Sequence, residues 1–188
     1  MNARVRTQIA FVSLATLGGA LRAADPASAS KNLGAVSVVL RNVHMCCGTC
    51  VKDADQTVAT IPGAEALSDM YSKSVIITAP DHATAQHAID ALIDAGYNGV
   101  PADASYTVKA APVIKDTMVT SLTISDVHLC CKKCVTGAVN ALATVKGVKA
   151  NTASEDAKTF DVTGEFNPNE VMAALNKAGF SGRVVTKP

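Results

Sequence analysis

Residues 44–50 read His44-Met-Cys-Cys-Gly-Thr-Cys50, and residues 128–134 read His128-Leu-Cys-Cys-Lys-Lys-Cys134. The two stretches lie 84 positions apart and hold all 6 cysteines of the chain. The alignment extends to both sides. Val38, Leu40 and Val43 fall on Leu122, Ile124 and Val127, and Val51, Ala54, Val58 and Ile61 fall on Val135, Ala138, Leu142 and Val145. Apolar residues at i, i+3, i+7 and i+10 make one face of a helix. That face is written twice, so the chain is a tandem repeat of one unit.

Farther along, Lys73-Ser-Val-Ile-Ile-Thr78 resembles Lys158-Thr-Phe-Asp-Val-Thr163, and Ala91 to Gly99 resembles Ala174 to Gly182. Val36, Val38 and Leu40 alternate as a half-buried strand does, and Met118, Thr120, Leu122 and Ile124 do so less cleanly. Pro62-Gly63 and Lys146-Gly147 end the first helices. Turns at Ser72-Lys73 and Asp156-Ala157 lead to middle strands carrying Val75 and Ile77, or Phe160 and Val162. Second helices are read from Ala85, Ala88, Ile89 and Leu92, and from Val171, Leu175 and Ala178, with Gly96 and Gly179 as C-terminal stops. The order strand, helix, strand, strand, helix, strand predicts an α+β fold: two ferredoxin-like βαββαβ domains, each with two helices on one face of a four-stranded antiparallel sheet. The domains are placed at 35–105 and 117–187. Residues 106–116 read as a linker that leaves them free to move unless they share an interface.

Composition narrows the function. A hydrophobic content of 48% and a mean hydropathy of +0.22 predict folded domains. The formal net charge of +1 with no long basic run gives no footprint for nucleic acid. Aromatics at 4% without Trp give no stacking platform for single strands. Residues 1–23 read as an export signal: Arg4 and Arg6, an apolar stretch from Ile9 to Leu21, then small residues, with cleavage after Ala23 or after Ala29. The apolar run is shorter than the roughly 20 residues a membrane span needs. A soluble periplasmic or secreted product with no span after signal removal is expected.

The cysteine loops, with Ala-Gly-Tyr97 and Ala-Gly-Phe180 later in each unit, resemble the heavy-metal-associated domain family: copper chaperones, the periplasmic mercury-binding protein and the metal-binding domains of P-type ATPases. The family's motif is Gly-Met-Thr-Cys-x-x-Cys at the junction of the first strand and first helix. The resemblance covers both units. It implies a metal ion as ligand and a metal transporter or efflux protein as a possible partner, and it identifies Met45, Leu129, Tyr97 and Phe180 as residues that shield the site. Core packing explains those four equally well. Two departures stand out. The family's Thr is replaced by Cys46 and Cys130, and its Gly by His44 and His128.

The pairs Cys47 with Cys50 and Cys131 with Cys134 converge at a helix start, where exposed N–H groups favour thiolates. Cys46 and Cys130 are either third ligands or bystanders, and His44 and His128 are either ligands or exposed loop residues. Three thiolates and an imidazole complete a tetrahedral shell for Zn²⁺, whereas two or three thiolates suit Cu⁺. About one ion per domain, Zn²⁺ or Cu⁺, is the expectation. Lys132 and Lys133 either offset thiolate charge in the second loop or are solvated lysines beside a helix start, and Gly48 and Thr49 give the first loop no such charge. His82 and His87, without counterparts in the second unit, are expected to face solvent. One feature of the strand end is unusual: Asn42 and Asp126 stand where the family has an apolar residue, so a bulge there is expected to re-aim the His and the first Cys. No nucleophile-base set or carboxylate pair accompanies the cysteines, so no enzyme is expected. Two other classes fit the same residues: a thiol–disulfide exchanger, because Cys-x-x-Cys at a helix start is also the redox arrangement, and a sensor whose loop is ordered by metal.

Overall fold

The computed structural model describes residues 34–109 and 117–185. The expected export segment, its cleavage points and linker positions 110–116 lie outside the described residues. The first half runs β1 (Val36–Arg41), α1 (Gly48–Ala59), β2 (Glu65–Asp69), β3 (Ser74–Ala79), α2 (His82–Asp94) and β4 (Val100–Pro101). The second runs β5 (Val119–Ser125), α3 (Lys132–Ala143), β6 (Val148–Asn151), β7 (Thr159–Phe166), α4 (Pro168–Lys177) and β8 (Arg183–Val184). Each half forms a four-stranded antiparallel sheet, in the orders β2-β3-β1-β4 and β6-β7-β5-β8. This is the tandem α+β architecture that the repeat predicts.

The cores follow the two periodicities. Val38, Leu40, Val75 and Ile77 point to one face of the first sheet and are covered by Ala54 and Val58 of α1 and by Ala85, Ala88, Ile89 and Leu92 of α2. Leu122, Ile124, Phe160 and Val162 are met in the same way by Ala138 and Leu142 of α3 and by Val171 and Leu175 of α4. Burying a side chain of this size stabilises by about 1.5–3 kcal/mol. Met118 departs from the expected strand: it lies outside β5 and is exposed.

At the strand ends, Asn42 and Asp126 adopt left-handed backbone (φ 60° and 61°). The extra residue is therefore absorbed in a one-residue turn rather than in a bulge within the ladder. Asn tolerates this conformation, as does Asp. The turn buries Val43 and Val127 beneath the sheet and swings His44 and His128 toward the helix starts.

The halves share an interface. The described residues form one compact unit. Tyr97 and Phe180 pair across the halves as an antiparallel bridge. Around it, Asn98 N donates to Gly179 O (2.9 Å), Ser181 N to Gly96 O (2.9 Å) and His44 N to Gly179 O (3.2 Å). Arg183 of the second half pairs with Asp94 of the first at 2.9 Å. Gly96 and Gly179 do more than stop helices: a Cβ on Gly96 would lie 2.4 Å from His128 N, and one on Gly179 2.4 Å from His44 N. The linker also begins later than its composition predicts, because Tyr106 is buried and stacks on His82 with ring centroids 4.2 Å apart. His82 is exposed despite this contact, and His87 is exposed.

Candidate metal centre

Cys47 and Cys131 are the N-caps of α1 and α3, in extended backbone and without a side-chain capping bond. Cys46 and Cys130 precede the caps, and Cys50 and Cys134 lie one turn in, fully buried. Each helix start thus presents three sulfurs beside first-turn backbone N–H groups and the positive end of the helix dipole, which favours thiolate.

Within a half, the expected pairs form: Cys47 Sγ is 3.6 Å from Cys50 Sγ, and Cys131 Sγ is 3.7 Å from Cys134 Sγ. The third cysteines join them, Cys46 at 3.7 Å from Cys50 and Cys130 at 3.7 Å from Cys134. What the separate halves do not reveal is that the two triads touch. Cys46 Sγ lies 3.3 Å from Cys131 Sγ and 3.4 Å from Cys134 Sγ, while Cys50 Sγ lies 3.5 Å from Cys130 Sγ and 3.6 Å from Cys134 Sγ. All six cysteines are free thiols in one continuous cluster.

The histidines cross over as well. His44 stacks on Phe180 of the other half at 4.1 Å, and His128 stacks on Tyr97 at 4.4 Å. Beyond this the two sides differ. The Tyr97 hydroxyl donates to Cys50 O at 3.0 Å and lies 3.0 Å from His128 Nε2, with an Asp53 carboxylate oxygen 4.0 Å from the same nitrogen. On the other side Phe180 has no hydroxyl, and Gly137 stands where the repeat has Asp53. A Cβ on Gly137 would come within 2.7 Å of the His44 ring. His44 Nε2 is buried with no hydrogen-bond partner. Such an orphan costs about 1–3 kcal/mol unless a ligand satisfies it. Met45 and Leu129 are buried core residues, and Tyr97 and Phe180 wall the centre.

The electrostatics follow from crowding sulfurs in a dry place. Cys50 is held well below the usual thiol range, chiefly by a hydrogen bond from Cys134 and against the cost of its burial. Its neighbours move the opposite way. Burial, followed by the hydrogen bonds among the thiols, pushes Cys46 up to about 12. Burial likewise raises Cys130, and Cys134 rises because its proton is shared with Cys50. At Cys131 burial acts upward but loses to backbone N–H and thiol hydrogen bonds, which bring it down to about 7. Burial lowers His44, keeping it neutral and able to act as a ligand. Cys50 and then Cys131 therefore ionise most readily, while Cys46, Cys130 and Cys134 resist, because like charges at these separations repel strongly. A cation removes that resistance.

Three sets of donor atoms lie within 4.8 Å of one another: Cys50, His128, Cys130 and Cys134; His44, Cys46 and Cys134; and Cys46, Cys47 and Cys131. Each set draws on both halves. Sulfur and imidazole nitrogen without carboxylate suit soft and borderline metals rather than Mg²⁺ or Ca²⁺. The centre also has an open side. A cavity of about 340 Å³ includes His128 and Cys130 in its wall, with Asp53, Asp94, Asp126 and Asp156 around it.

A scan against protein-family models finds no match, and a search of curated proteins finds none. The N-terminal soluble domains of Bacillus subtilis CopA align over 80% of this chain and 94% of that one, at 16% identity and a TM-score of 0.28. No helix among the described residues is long and apolar enough to cross a membrane.

Sequence reasoning singled out every cysteine and histidine of the centre but not Asp53 or the crossed pairing. A signal for the latter existed. Gly96 and Gly179 recur with Asn42 and Asp126 in both units, and these are the residues that let the two loops interlock.

Proposed function

We propose that this chain is an exported metal-binding protein of the heavy-metal-associated type. It takes up a soft or borderline ion, Zn²⁺ or Cu⁺, among the cysteines of its two loops, and either hands it to a transporter or efflux partner or sequesters it. The observation that carries this reading is the convergence of six thiol sulfurs, 3.3 to 3.7 Å apart, on one wall shared by two histidines. Thiolates in that number are expensive to keep together without a cation, and their chemistry selects metals that prefer sulfur. Export is supported by the N-terminal residues 1–23 alone. Ligand exchange from sulfurs that are partly exposed, as Cys46, Cys47, Cys130 and Cys131 are, offers a stepwise path to a partner.

The test is a metal titration against a competing chelator, with protein reduced and handled without oxygen. Wild type binds Zn²⁺ and Cu⁺ tightly, and the variants Cys47→Ser/Cys50→Ser and Cys131→Ser/Cys134→Ser each lose capacity. Full stoichiometry in both variants rules the reading out. Efficient reduction of insulin disulfides by the metal-free protein would instead favour thiol–disulfide exchange.

A further inference from the structure

The thiols meet within each loop, but the His and Cys groups that lie within 4.8 Å of one another also draw on both halves. We infer that the chain binds two ions at unlike positions, each shared between the halves: one at Cys50, His128, Cys130 and Cys134, the other at Cys46, Cys47 and Cys131. This rests on the metal-binding reading above and refines it.

The first set offers four donors within 4.8 Å of one another, three from the second half and Cys50 from the first. Tetrahedral thiolate coordination at ~2.3 Å places sulfurs about 3.8 Å apart. The separations found are 3.5 Å for Cys50 to Cys130, 3.6 Å for Cys50 to Cys134 and 3.7 Å for Cys130 to Cys134. An ion needs only slight widening there. His128 is also prepared for the role. Its Nε2 is engaged by the Tyr97 hydroxyl with Asp53 behind, the outer support that metal-bound imidazoles commonly have.

Removing those four donors leaves Cys46, Cys47 and Cys131, which are themselves within 4.8 Å of one another. Three thiolates with no imidazole make a trigonal set, a geometry Cu⁺ accepts and Zn²⁺ favours less. The competing division puts one ion on Cys46, Cys47 and Cys50, where two separations are 3.7 and 3.6 Å. It takes Cys50 from the four-donor set and leaves His128 with Cys130, Cys131 and Cys134 of its own half. The repeat's symmetry does not rescue it, because Phe180 and Gly137 give His44 none of the support that Tyr97 and Asp53 give His128. His44, which lies within 4.8 Å of both Cys46 and Cys134, stands between the two positions.

Because the partition crosses the halves, one double variant separates the alternatives. Cys47→Ser/Cys131→Ser changes one half-buried cysteine in each half, and both belong to the three-sulfur set. Co²⁺ titration followed by absorption, with ions counted by native mass spectrometry, gives two ions for wild type. The double variant should keep one ion at an affinity within about threefold of wild type, with its sulfur-to-cobalt charge-transfer bands intact. Adding His128→Gln should then shift those bands and weaken binding by at least the 10–100-fold typical of disturbing a metal's outer support. If each loop holds its own ion, the same double variant weakens both ions, and that result overturns the inference while leaving metal binding in place. Failure of wild type to bind Co²⁺, Zn²⁺ or Cu⁺ defeats both. Should the double variant misfold by circular dichroism, Cys50→Ser/Cys130→Ser provides the converse measurement: it must lose the imidazole-containing site and keep the three-sulfur one.

Discussion

Gly179→Ala tests whether the two halves are locked together as the metal centre requires. Gly179 has φ +86°, and a Cβ there would lie 2.4 Å from His44 N, 2.6 Å from Asn42 O and 3.0 Å from Val43 C. All three are backbone atoms of the other half. They cannot rotate away, so the loops must separate by roughly 1 Å to reach ordinary contact. An L-residue in left-handed backbone costs about 1–2 kcal/mol. The carbonyl of Gly179 also accepts from His44 N and Asn98 N across the interface. Each such bond contributes about 0.5–1.5 kcal/mol net. The expected loss is about 2–5 kcal/mol in urea unfolding of the reduced, metal-free protein. Gly48→Ala is the matched control, since nothing lies within 4 Å of its Cβ and it begins α1. It should be neutral or stabilise by up to about 1 kcal/mol. A Gly179→Ala protein within about 0.5 kcal/mol of wild type would refute the interlocked arrangement, because surface changes of no consequence fall in that range.

Tyr97→Phe keeps the ring but removes the hydroxyl that meets Cys50 O and His128 Nε2. It should lower stability by about 1–2 kcal/mol in the same unfolding measurement, with Phe180 on the opposite side showing that the ring alone packs. Asp53→Asn removes a carboxylate from the lining of the cavity that His128 also lines. Stopped-flow metal association should slow at low ionic strength, and the difference should vanish in high salt, where a screening length near 3 Å hides the charge. Acidification should release metal. Binding replaces protons on thiols that are held high, Cys46 and Cys130 among them, so affinity falls as pH falls. A chelator-competition series from neutral to mildly acidic pH that shows no change would count against thiolate ligation.

The fold was legible because the buried face of each helix is spelled twice, and a chance pattern rarely repeats with the same Gly and turn positions. The cores around Val38, Leu40 and Val58, and around Ile124, Leu142 and Leu175, lie where the periodicities place them. Met118 was misplaced because alternation weakens at a strand end, where an apolar residue has no neighbour to cover it. Asn42 and Asp126 carried a true signal, a polar residue in an apolar position. Its outcome was a left-handed turn, which a sequence does not distinguish from a bulge without knowing what the next residues must reach. The crossed cysteine cluster was harder to see. Spacing within Cys-Cys-x-x-Cys reports only the local meeting of i and i+3, while the approach of Cys46 to Cys131 depends on backbone packing between two distant glycine loops. Likewise Asp53 reads as a solvated helix residue until His128 of the other half is placed against it.

In the proposed sites metal is held by sulfurs from both halves at once. Anomalous diffraction from crystals of the metal-loaded chain, collected at the absorption edge of the bound ion, measures this directly. The expected result is an ion within about 2.3 Å of Cys50 Sγ, Cys130 Sγ and Cys134 Sγ together, as sulfur coordination requires. An ion bonded only to Cys46, Cys47 and Cys50, with the second loop out of bonding reach, would contradict it.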